Sequence, residues 1–229
     1  MEAAVRSCGN PCVVGFDPTP DSLPRSLRRK SRSPAGLADA YLAFARMVLG
    51  AARGVVPGLK VQVACFERLG WRGVRAYERT VEAARDAGLL VIGDVKRGDV
   101  PHTAAHYAAA HLSRGGADAV TVHPFLGPDS LVPFLDALAD GTRGVFVLVR
   151  TSNAGSATVQ GTALDRGSLC SRLARLVHRL GLRYRGRNGW SAVGAVVGAT
   201  HPAELGPLRR RMPRSPFLVP GMGAQGGRP

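Results

Sequence analysis

The sequence predicts an α/β protein of the TIM (β/α)8-barrel type, with the eighth strand and the closing helix missing. Seven short apolar runs, rich in β-branched residues, alternate with longer amphipathic stretches, which is typical of parallel strands covered by helices. No Gly-rich dinucleotide fingerprint follows the first run, and this favours a barrel over a doubly wound sheet. Polar residues gather at the ends of five runs, and barrel enzymes place their active sites at that edge.

The candidate strands are apolar nearly throughout, as expected for strands that are buried on both faces. They comprise residues 12–17, 58–63, 89–95, 118–123, 144–150, 191–199 and 217–221. A closed barrel of this kind has eight strands, and the sequence stops soon after the seventh. Its 229 residues lie within the range of one α/β barrel. We therefore expect a single barrel domain over residues 1–229, incomplete at its C-terminus.

Helix-like stretches lie between the strands, such as residues 36–52 and 73–88. The apolar face predicted for the second stretch consists of Val74, Tyr77, Val81 and Ala84. This spacing of three and four residues is that of an amphipathic helix, and Gly88 stands where the helix would end.

The composition is that of a globular protein, with 45% hydrophobic and 21% charged residues. No apolar run approaches the roughly 18 to 20 residues that a membrane span needs, and the N-terminus lacks the apolar core of a signal peptide. We expect a soluble, cytoplasmic protein with no membrane partner and with reduced cysteines. Cys8 and Cys12 are spaced C-x-x-x-C, but no second ligand pair completes a zinc site.

The chain is strongly basic, with 31 Lys and Arg against 16 Asp and Glu and a net charge of +15. Such an excess is found in proteins that bind nucleic acids or phosphorylated substrates. The arginines cluster in residues 25–33, 183–187 and 209–214, with little aromatic interleaving. This pattern favours a solvated surface over a nucleic-acid partner. A non-catalytic, basic protein that binds nucleic acid stays open as the alternative.

The stretch "VIGDVKRGDV" places charges at the end of an apolar strand, where they are costly to hold. Side chains alternate along a strand, so Asp94 and Lys96 are predicted to project to the same side, whereas Asp99 lies beyond the strand in a turn at Gly98. Lys60 likewise shares a face with Gln62. An array of lysines and aspartates holds its charges when each has an opposite neighbour within about 4 to 6 Å. A salt-bridge network at the rim of the barrel is the structural alternative to a catalytic role.

The hexapeptide "DVKRGD" has the D-x-K-x-x-D pattern and resembles the signature of the orotidine 5′-phosphate decarboxylases. Other blocks resemble the longer bacterial form of this family, in the family's order: "CVVGFDPTPDSLP", "KVQVACFERLG", "DAVTVHPFLGPDSL", "FVLVRTSNAGS", "VGAVVGAT" and "VPGMGAQGG". The resemblance extends from about Cys12 to Gly227. It implies a carboxy-lyase that converts orotidine 5′-monophosphate to UMP and CO2 in de novo pyrimidine synthesis, without a metal or a cofactor.

The resemblance also implies the roles of four catalytic residues. Lys96 would stabilise the C6 carbanion and protonate it, while Asp94 would face the departing carboxylate and orient Lys96. Asp99 is similar to the family aspartate that enters the site of the neighbouring subunit, which implies a homodimer with shared active sites. Lys60 would complete the array of lysines and aspartates and contact the ribose.

Four further positions resemble substrate-binding residues of the family. Asp17 and Thr103 would bind ribose hydroxyls, Thr103 across the dimer. Ser152 would contact the pyrimidine, and Gln225 would belong to the phosphate site. His123 is expected to be structural, and His102 and His106 lack a third metal ligand.

Two points limit the resemblance. The family chain continues past "GAQGG" through an eighth strand that carries further phosphate contacts, so the activity of a shortened chain is in question. A magnesium-dependent sugar-phosphate decarboxylase of the same barrel type is the rival enzyme. That group resembles this chain in the third strand only and places an acidic metal ligand in the second strand, where this sequence has Lys60.

Overall fold

The computed structural model of the protein describes residues 1–29, 33–113, 115–165 and 167–222. The chain forms two compact units. The first unit comprises Met1–Val95 and His111–Val120, and the second comprises Lys96–Ala110 and the chain from Thr121 onward.

The first unit is built on parallel strands. These are β1 (Val13–Phe16), β2 (Gly58–Gln62) and β3 (Leu90–Arg97). The last two residues of β3 belong to the second unit. Strand β2 pairs in parallel with β1 on one side and with β3 on the other. The helices are α1 (Glu2–Cys8), α2 (Arg25–Arg28), α3 (Pro34–Ala52), α4 (Val63–Glu67) and α5 (Trp71–Asp86).

Local sequence explains where the long helices of this unit begin and end. Helix α3 starts after Ser33, whose Oγ accepts a hydrogen bond from the backbone N–H of Gly36 at 3.1 Å, with Pro34 at the first helical position. Helix α5 ends before Gly88, which has a φ of 79°. That left-handed conformation suits glycine, so the predicted role of Gly88 at the helix end is confirmed.

The core of the first unit contains a cluster of aromatic rings. The Phe66 ring lies 6.3 Å from Phe16, 5.7 Å from Tyr41 and 5.9 Å from Tyr77, measured between centroids, and all four residues are buried. This cluster joins β1, α3, α4 and α5. Three members of the predicted apolar face of α5 are buried, but Val74, in the first turn of the helix, is 40% exposed, so its inclusion was wrong.

Helix α3 corrects the expectation that no segment is long and apolar enough to span a membrane. Its 19 residues meet that criterion by length and composition. A buried core helix meets the same criterion, and α3 places Tyr41, Ala45 and Leu49 in the core of the first unit. The apolar residues of the helix pack against α5 and, where the Phe44 ring lies 5.5 Å from that of Phe16, against β1.

The second unit contains the remaining strands of the main sheet. These are β4 (Ala119–Val122, which begins in the first unit), β5 (Gly144–Arg150), β8 (Val193–Val197) and β9 (Phe217–Leu218), with a small hairpin of β6 (Ala163–Leu164) and β7 (Gly167–Ser168). Strand β8 pairs in parallel with β5 and β9. The helices are α6 (Pro101–Leu112), α7 (Val132–Asp136), α8 (Ser156–Gln160), α9 (Leu169–Gly181) and α10 (Pro202–Arg211), with short 3-10 helices at Asp129–Leu131 and Leu182–Tyr184. The last two residues of α6 belong to the first unit.

The strand order of the main sheet is β1-β2-β3-β4-β5-β8-β9. Six of these seven strands lie within the segments predicted from the sequence, and β3 continues two residues past its predicted end at 95. The longest helices lie between the strands. The predicted α/β class is therefore confirmed. The carboxyl ends of β1, β2 and β3 lie at one edge of the sheet, which brings the charged residues of the first unit together.

Candidate active site

A lysine between two carboxylates forms the charged centre of the first unit. The Nζ of Lys60 donates hydrogen bonds to Oδ2 of Asp94 at 2.9 Å and to Oδ1 of Asp17 at 3.1 Å. Gln62 donates from Nε2 to the same Asp94 oxygen at 3.0 Å. The predicted sharing of one face by Lys60 and Gln62 is confirmed, as is the close approach of opposite charges.

Strand register explains why these side chains meet. Gln62 is the register partner of Asp94 on β3, whereas Lys60 lies two residues earlier on β2 and pairs with Gly15 of β1. Two residues of strand are about 6.6 Å, a distance that the long stem of a lysine can span. A Cβ atom at Gly15 would lie 4.0 Å from Cε of Lys60, so the stem passes over this glycine toward Asp17.

Burial strengthens the interaction of these charges. The side chains of Lys60 and Asp94 are only 13% and 9% exposed, whereas that of Asp17 is 56% exposed. Burial by itself lowers the pKa of Lys60. The charges of Asp94 and Asp17, with their hydrogen bonds, outweigh that effect and raise the pKa above the 10.5 of an ordinary lysine. Lys60 therefore carries a fixed positive charge at neutral pH.

The cluster keeps hydrogen-bonding capacity for a ligand. An ammonium group has three N–H donors, and two of those on Lys60 are used by the carboxylates. Among the described residues, neither the third donor nor Oδ2 of the half-exposed Asp17 has a protein partner. The arrangement can thus bind a polar ligand that both accepts and donates hydrogen bonds, such as a hydroxyl group.

Lys96 lies at the end of β3, exposed, with a φ of 43°. It is the one non-glycine residue with a positive φ in the described part of the chain. Its backbone N–H donates to Oγ1 of the buried Thr121 at 2.9 Å. The prediction that Lys96 projects to the same side as Asp94 rests on strand alternation, and it stays a prediction. Alternation requires extended backbone, and Lys96 is left-handed.

The turn after Lys96 is tightly packed. A Cβ atom at Gly98 would lie 2.6 Å from the imidazole ring of His123 and 2.8 Å from its carbonyl oxygen. His123 also donates its backbone N–H to the carbonyl of Arg97 at 3.0 Å. The contact gives His123 the structural role that the sequence predicts for it. It also requires glycine at position 98.

Asp99 and Thr103 follow this turn. Asp99 is half-buried and accepts a hydrogen bond at Oδ1 from the backbone N–H of Val100 at 2.8 Å. Thr103 lies in the first turn of α6 and is also half-buried. Their predicted roles toward a second subunit stay predictions.

Ser152 lies in the loop between β5 and α8. Its carbonyl accepts a hydrogen bond from Oγ1 of Thr200 at 3.0 Å, and its backbone packs on Gly198, where an added Cβ would lie 2.8 Å from Cα of Ser152. The loop is thus fixed against the segment that follows β8. Gln225 lies outside the described residues, and its predicted place in a phosphate site stays a prediction.

Sequence reasoning missed a buried network in the second unit. Arg150, at the end of β5, is 4% exposed and forms a salt bridge of 2.8 Å with Glu204. Its guanidinium also contacts Ser156 and His201. Two signals could have revealed the network. The first is that Arg150 is the last residue of an apolar strand, a position similar to that of Asp94 near the end of its predicted strand. The second is that Glu204 is the sole acidic residue between positions 167 and 222.

No group of three or more His, Cys, Asp or Glu side chains that could hold a metal ion occurs in the described part of the chain. His102 and His106 lie near each other on α6, with 5.3 Å between ring centroids.

Comparison with known proteins places these features in a family. Residues 43–229 match the model of the "Orotidine 5′-phosphate decarboxylase / HUMPS family". The chain is 41% identical to the orotidine 5′-phosphate decarboxylase of Rhodopirellula baltica, over 99% of this chain and 78% of that protein. It is 37% identical to the corresponding protein of Clostridium perfringens, over 93% of this chain and 74% of that protein. The chain thus spans about three quarters of these relatives.

Solved structures agree with the sequence relatives. The structure of the Leishmania donovani OMP decarboxylase superposes with a TM-score of 0.76 and 31% identity, over 96% of this chain and 78% of that one. This likeness confirms the predicted barrel class of the fold.

Proposed function

Because this chain belongs to the orotidine 5′-phosphate decarboxylase / HUMPS family, we propose that it decarboxylates orotidine 5′-monophosphate to UMP. The observation that carries the proposal is the buried Lys60, held between Asp17 and Asp94 at the carboxyl ends of neighbouring strands. Burial of such charges costs folding free energy, and an electrostatic field that stabilises a reaction is a functional reason to retain them. The reaction is the last step of de novo UMP synthesis.

The proposed chemistry needs a cation and a proton. The bond between C6 of the pyrimidine and its carboxylate breaks, CO2 leaves, and the electron pair remains on C6. Lys96 supplies its ammonium charge to stabilise the carbanion and then transfers one proton to C6. Solvent returns the proton to the lysine. Asp94 faces the substrate carboxylate, and its charge favours the loss of that group.

Binding of the sugar is supported by the unused hydrogen-bonding groups described above. The third N–H of Lys60 donates to a ribose hydroxyl, and Oδ2 of Asp17 accepts from one. Ser152 contacts the pyrimidine, Thr103 a ribose hydroxyl, and Gln225 the phosphate, as the resemblance to the family implies. The basic charge of +15 favours an anionic nucleotide as the ligand.

We further propose a cytoplasmic homodimer in which Asp99 enters the site of the partner subunit. Exposed apolar residues support an interface near Asp99. Val100 is 52% exposed, and Phe125 and Leu126, in the loop after β4, are 83% and 41% exposed. A contiguous exposed apolar patch is typical of a surface that another subunit covers, and we propose that these three side chains belong to such a patch.

The identity of residue 60 favours this reaction over magnesium-dependent sugar-phosphate decarboxylation. The rival enzymes place an acidic metal ligand on the second strand. Here that position holds a lysine whose raised pKa keeps it cationic, and a cation there would repel Mg²⁺.

The test is to incubate the purified protein with orotidine 5′-monophosphate and to measure UMP by chromatography, with and without EDTA. We expect UMP formation that EDTA does not reduce. Absence of UMP would contradict the proposed activity, and loss of turnover in EDTA would point to the magnesium-dependent group. A parallel incubation with a β-keto sugar-phosphate acid and Mg²⁺ tests that group directly.

A further inference from the structure

We propose that Arg150 is a positioning residue for the reaction, which sets the geometry of Ser152 by joining the two ends of its loop. The inference rests on the proposed function, because Ser152 is taken to contact the pyrimidine. Arg150 itself does not need to touch the substrate. The loop in question comprises residues 151–155, between β5 and α8.

The guanidinium of Arg150 makes contacts in three directions. Its Nε donates to Oε1 of Glu204 at 2.8 Å, and its Nη1 donates to Oγ of Ser156 at 2.8 Å. Its Nη2 lies 3.3 Å from Nδ1 of His201. Ser156 is the first residue of α8, and Glu204 belongs to α10. A single side chain therefore links the end of β5 to two helices.

These contacts close the loop that carries Ser152. Arg150 is the residue before the loop and Ser156 the residue after it, so their hydrogen bond joins the two loop ends. The backbone adds support, because the carbonyl of Arg150 accepts from the N–H of Gly198 at 2.7 Å and the carbonyl of Ser152 accepts from Thr200. Displacement of the guanidinium would release one end of the loop.

His201 can contact both Arg150 and Ser156 in one tautomer. The guanidinium can only donate, so Nδ1 of His201 must accept and the ring must carry its proton on Nε2. That N–H then points to Oγ of Ser156, 3.2 Å away. The serine oxygen accepts from both Arg150 and His201, which fixes the start of α8 from two sides.

Lysine could not replace Arg150 here. Its ammonium group is a point donor at the end of a flexible stem, whereas guanidinium is a planar fork that donates along fixed directions. Glu204 has a second partner that holds it in place, since its Oε2 accepts a hydrogen bond from Sγ of Cys170 at 3.4 Å. Arg150→Lys keeps the charge opposite Glu204 and should therefore fold, but it cannot hold Glu204, Ser156 and His201 together.

The experiment is a double-mutant cycle between positions 150 and 152. If Arg150 acts through Ser152, Arg150→Lys should lower kcat/KM for orotidine 5′-monophosphate about 10- to 100-fold in the wild-type background, but less than about 3-fold in the Ser152→Ala background. Arg209→Lys is the matched control. Arg209 is a half-buried arginine of the same unit that donates to the carbonyls of Met212 and Ser215, and its effect should be the same in both backgrounds.

A second readout does not need turnover. Hydrogen exchange of the amides in residues 151–160 should be faster in Arg150→Lys, and in Glu204→Gln if the first variant does not fold, with exchange in β2 unchanged. An inactive wild-type protein would contradict the proposed function. In that case the hydrogen-exchange data alone would test whether Arg150 holds the loop. An active wild type with additive effects at positions 150 and 152, or unchanged exchange in the loop, would overturn the inference.

Discussion

The backbone N–H of Lys96 donates a hydrogen bond of 2.9 Å to Oγ1 of Thr121, at the point where Lys96 adopts a φ of 43°. A left-handed conformation costs a non-glycine residue about 1 to 2 kcal/mol. Such residues are found where the surrounding structure fixes them and often at functional sites. The buried hydroxyl of Thr121 is a group that stabilises this conformation.

Replacement of this hydroxyl should affect both catalysis and stability. Thr121→Val keeps the shape of the side chain but removes the acceptor for Lys96, at a cost of about 1 to 3 kcal/mol in the free energy of unfolding. Because the lysine backbone is then free to relax, we expect kcat to fall about tenfold. Thr80→Val is the matched control: its hydroxyl is also buried and donates to the carbonyl of Ala76, and kcat should not change. Equal kcat losses in both variants would contradict the role of Thr121.

Removal of the proposed proton donor should abolish turnover. Lys96→Ala eliminates the main cation and the general acid together, so UMP formation at saturating substrate should fall at least about a thousandfold. Arg79→Ala, on the exposed face of α5, serves as a control for the loss of a cation. A Lys96→Ala protein within tenfold of wild type would refute the assignment of Lys96.

The raised pKa of Lys60 should make the free energy of unfolding depend on pH. Lys60→Met removes the cation that hydrogen-bonds to the buried carboxylate of Asp94, so urea unfolding at pH 8 should give a free energy lower than wild type by about 3 to 5 kcal/mol. A raised folded-state pKa stabilises the protein fully below the unfolded value, here 10.5. That contribution is lost as the pH rises through the folded value.

The difference between wild type and Lys60→Met should therefore stay constant from pH 8 to 10 and shrink above pH 10.5. Arg79→Met should differ from wild type by the same small amount at every pH. A difference that is unchanged up to pH 11.5 would mean that the carboxylates do not stabilise the charged lysine.

Shared active sites can be tested by mixing subunits. If Asp99 completes the site of the partner, Lys96→Ala and Asp99→Ala proteins are each inactive, but a mixed dimer contains one site with both residues intact. After subunit exchange we expect roughly a quarter of wild-type activity, because half of the dimers are mixed and each has one complete site. No recovery after verified exchange would place Asp99 in the site of its own chain.

Substitution by alanine should have opposite effects on stability at two glycines, Gly98 in the turn after β3 and Gly50 in α3. Gly98→Ala would push a methyl group into the ring and carbonyl of His123, and should lower the free energy of unfolding by about 1 to 3 kcal/mol. Gly50→Ala is the comparison, since Gly50 lies in α3 with nothing within 4 Å of the added atom. It should raise stability by up to about 1 kcal/mol. Thermal unfolding of both variants measures these changes, and a neutral Gly98→Ala would show that the turn can widen.

Much of this protein is determined locally by its sequence. Seven apolar runs form seven strands because a buried parallel strand needs apolar side chains on both faces. Lys60 and Gln62 lie on one face because side chains alternate along extended backbone. The D-x-K-x-x-D pattern and the accompanying blocks indicate the family by residue identity and order alone.

Other features were decided only by the tertiary structure. Asp17, Lys60 and Asp94 are far apart in the sequence, and their contacts depend on strand register, which no local pattern specifies. The left-handed backbone of Lys96 was also decided by the tertiary structure, because its N–H donates a hydrogen bond to Thr121 on the next strand. The position of Arg150 at the end of an apolar strand is a sequence signal of a buried charge. Its partners, however, come from two helices, and only the packing of those helices identifies them.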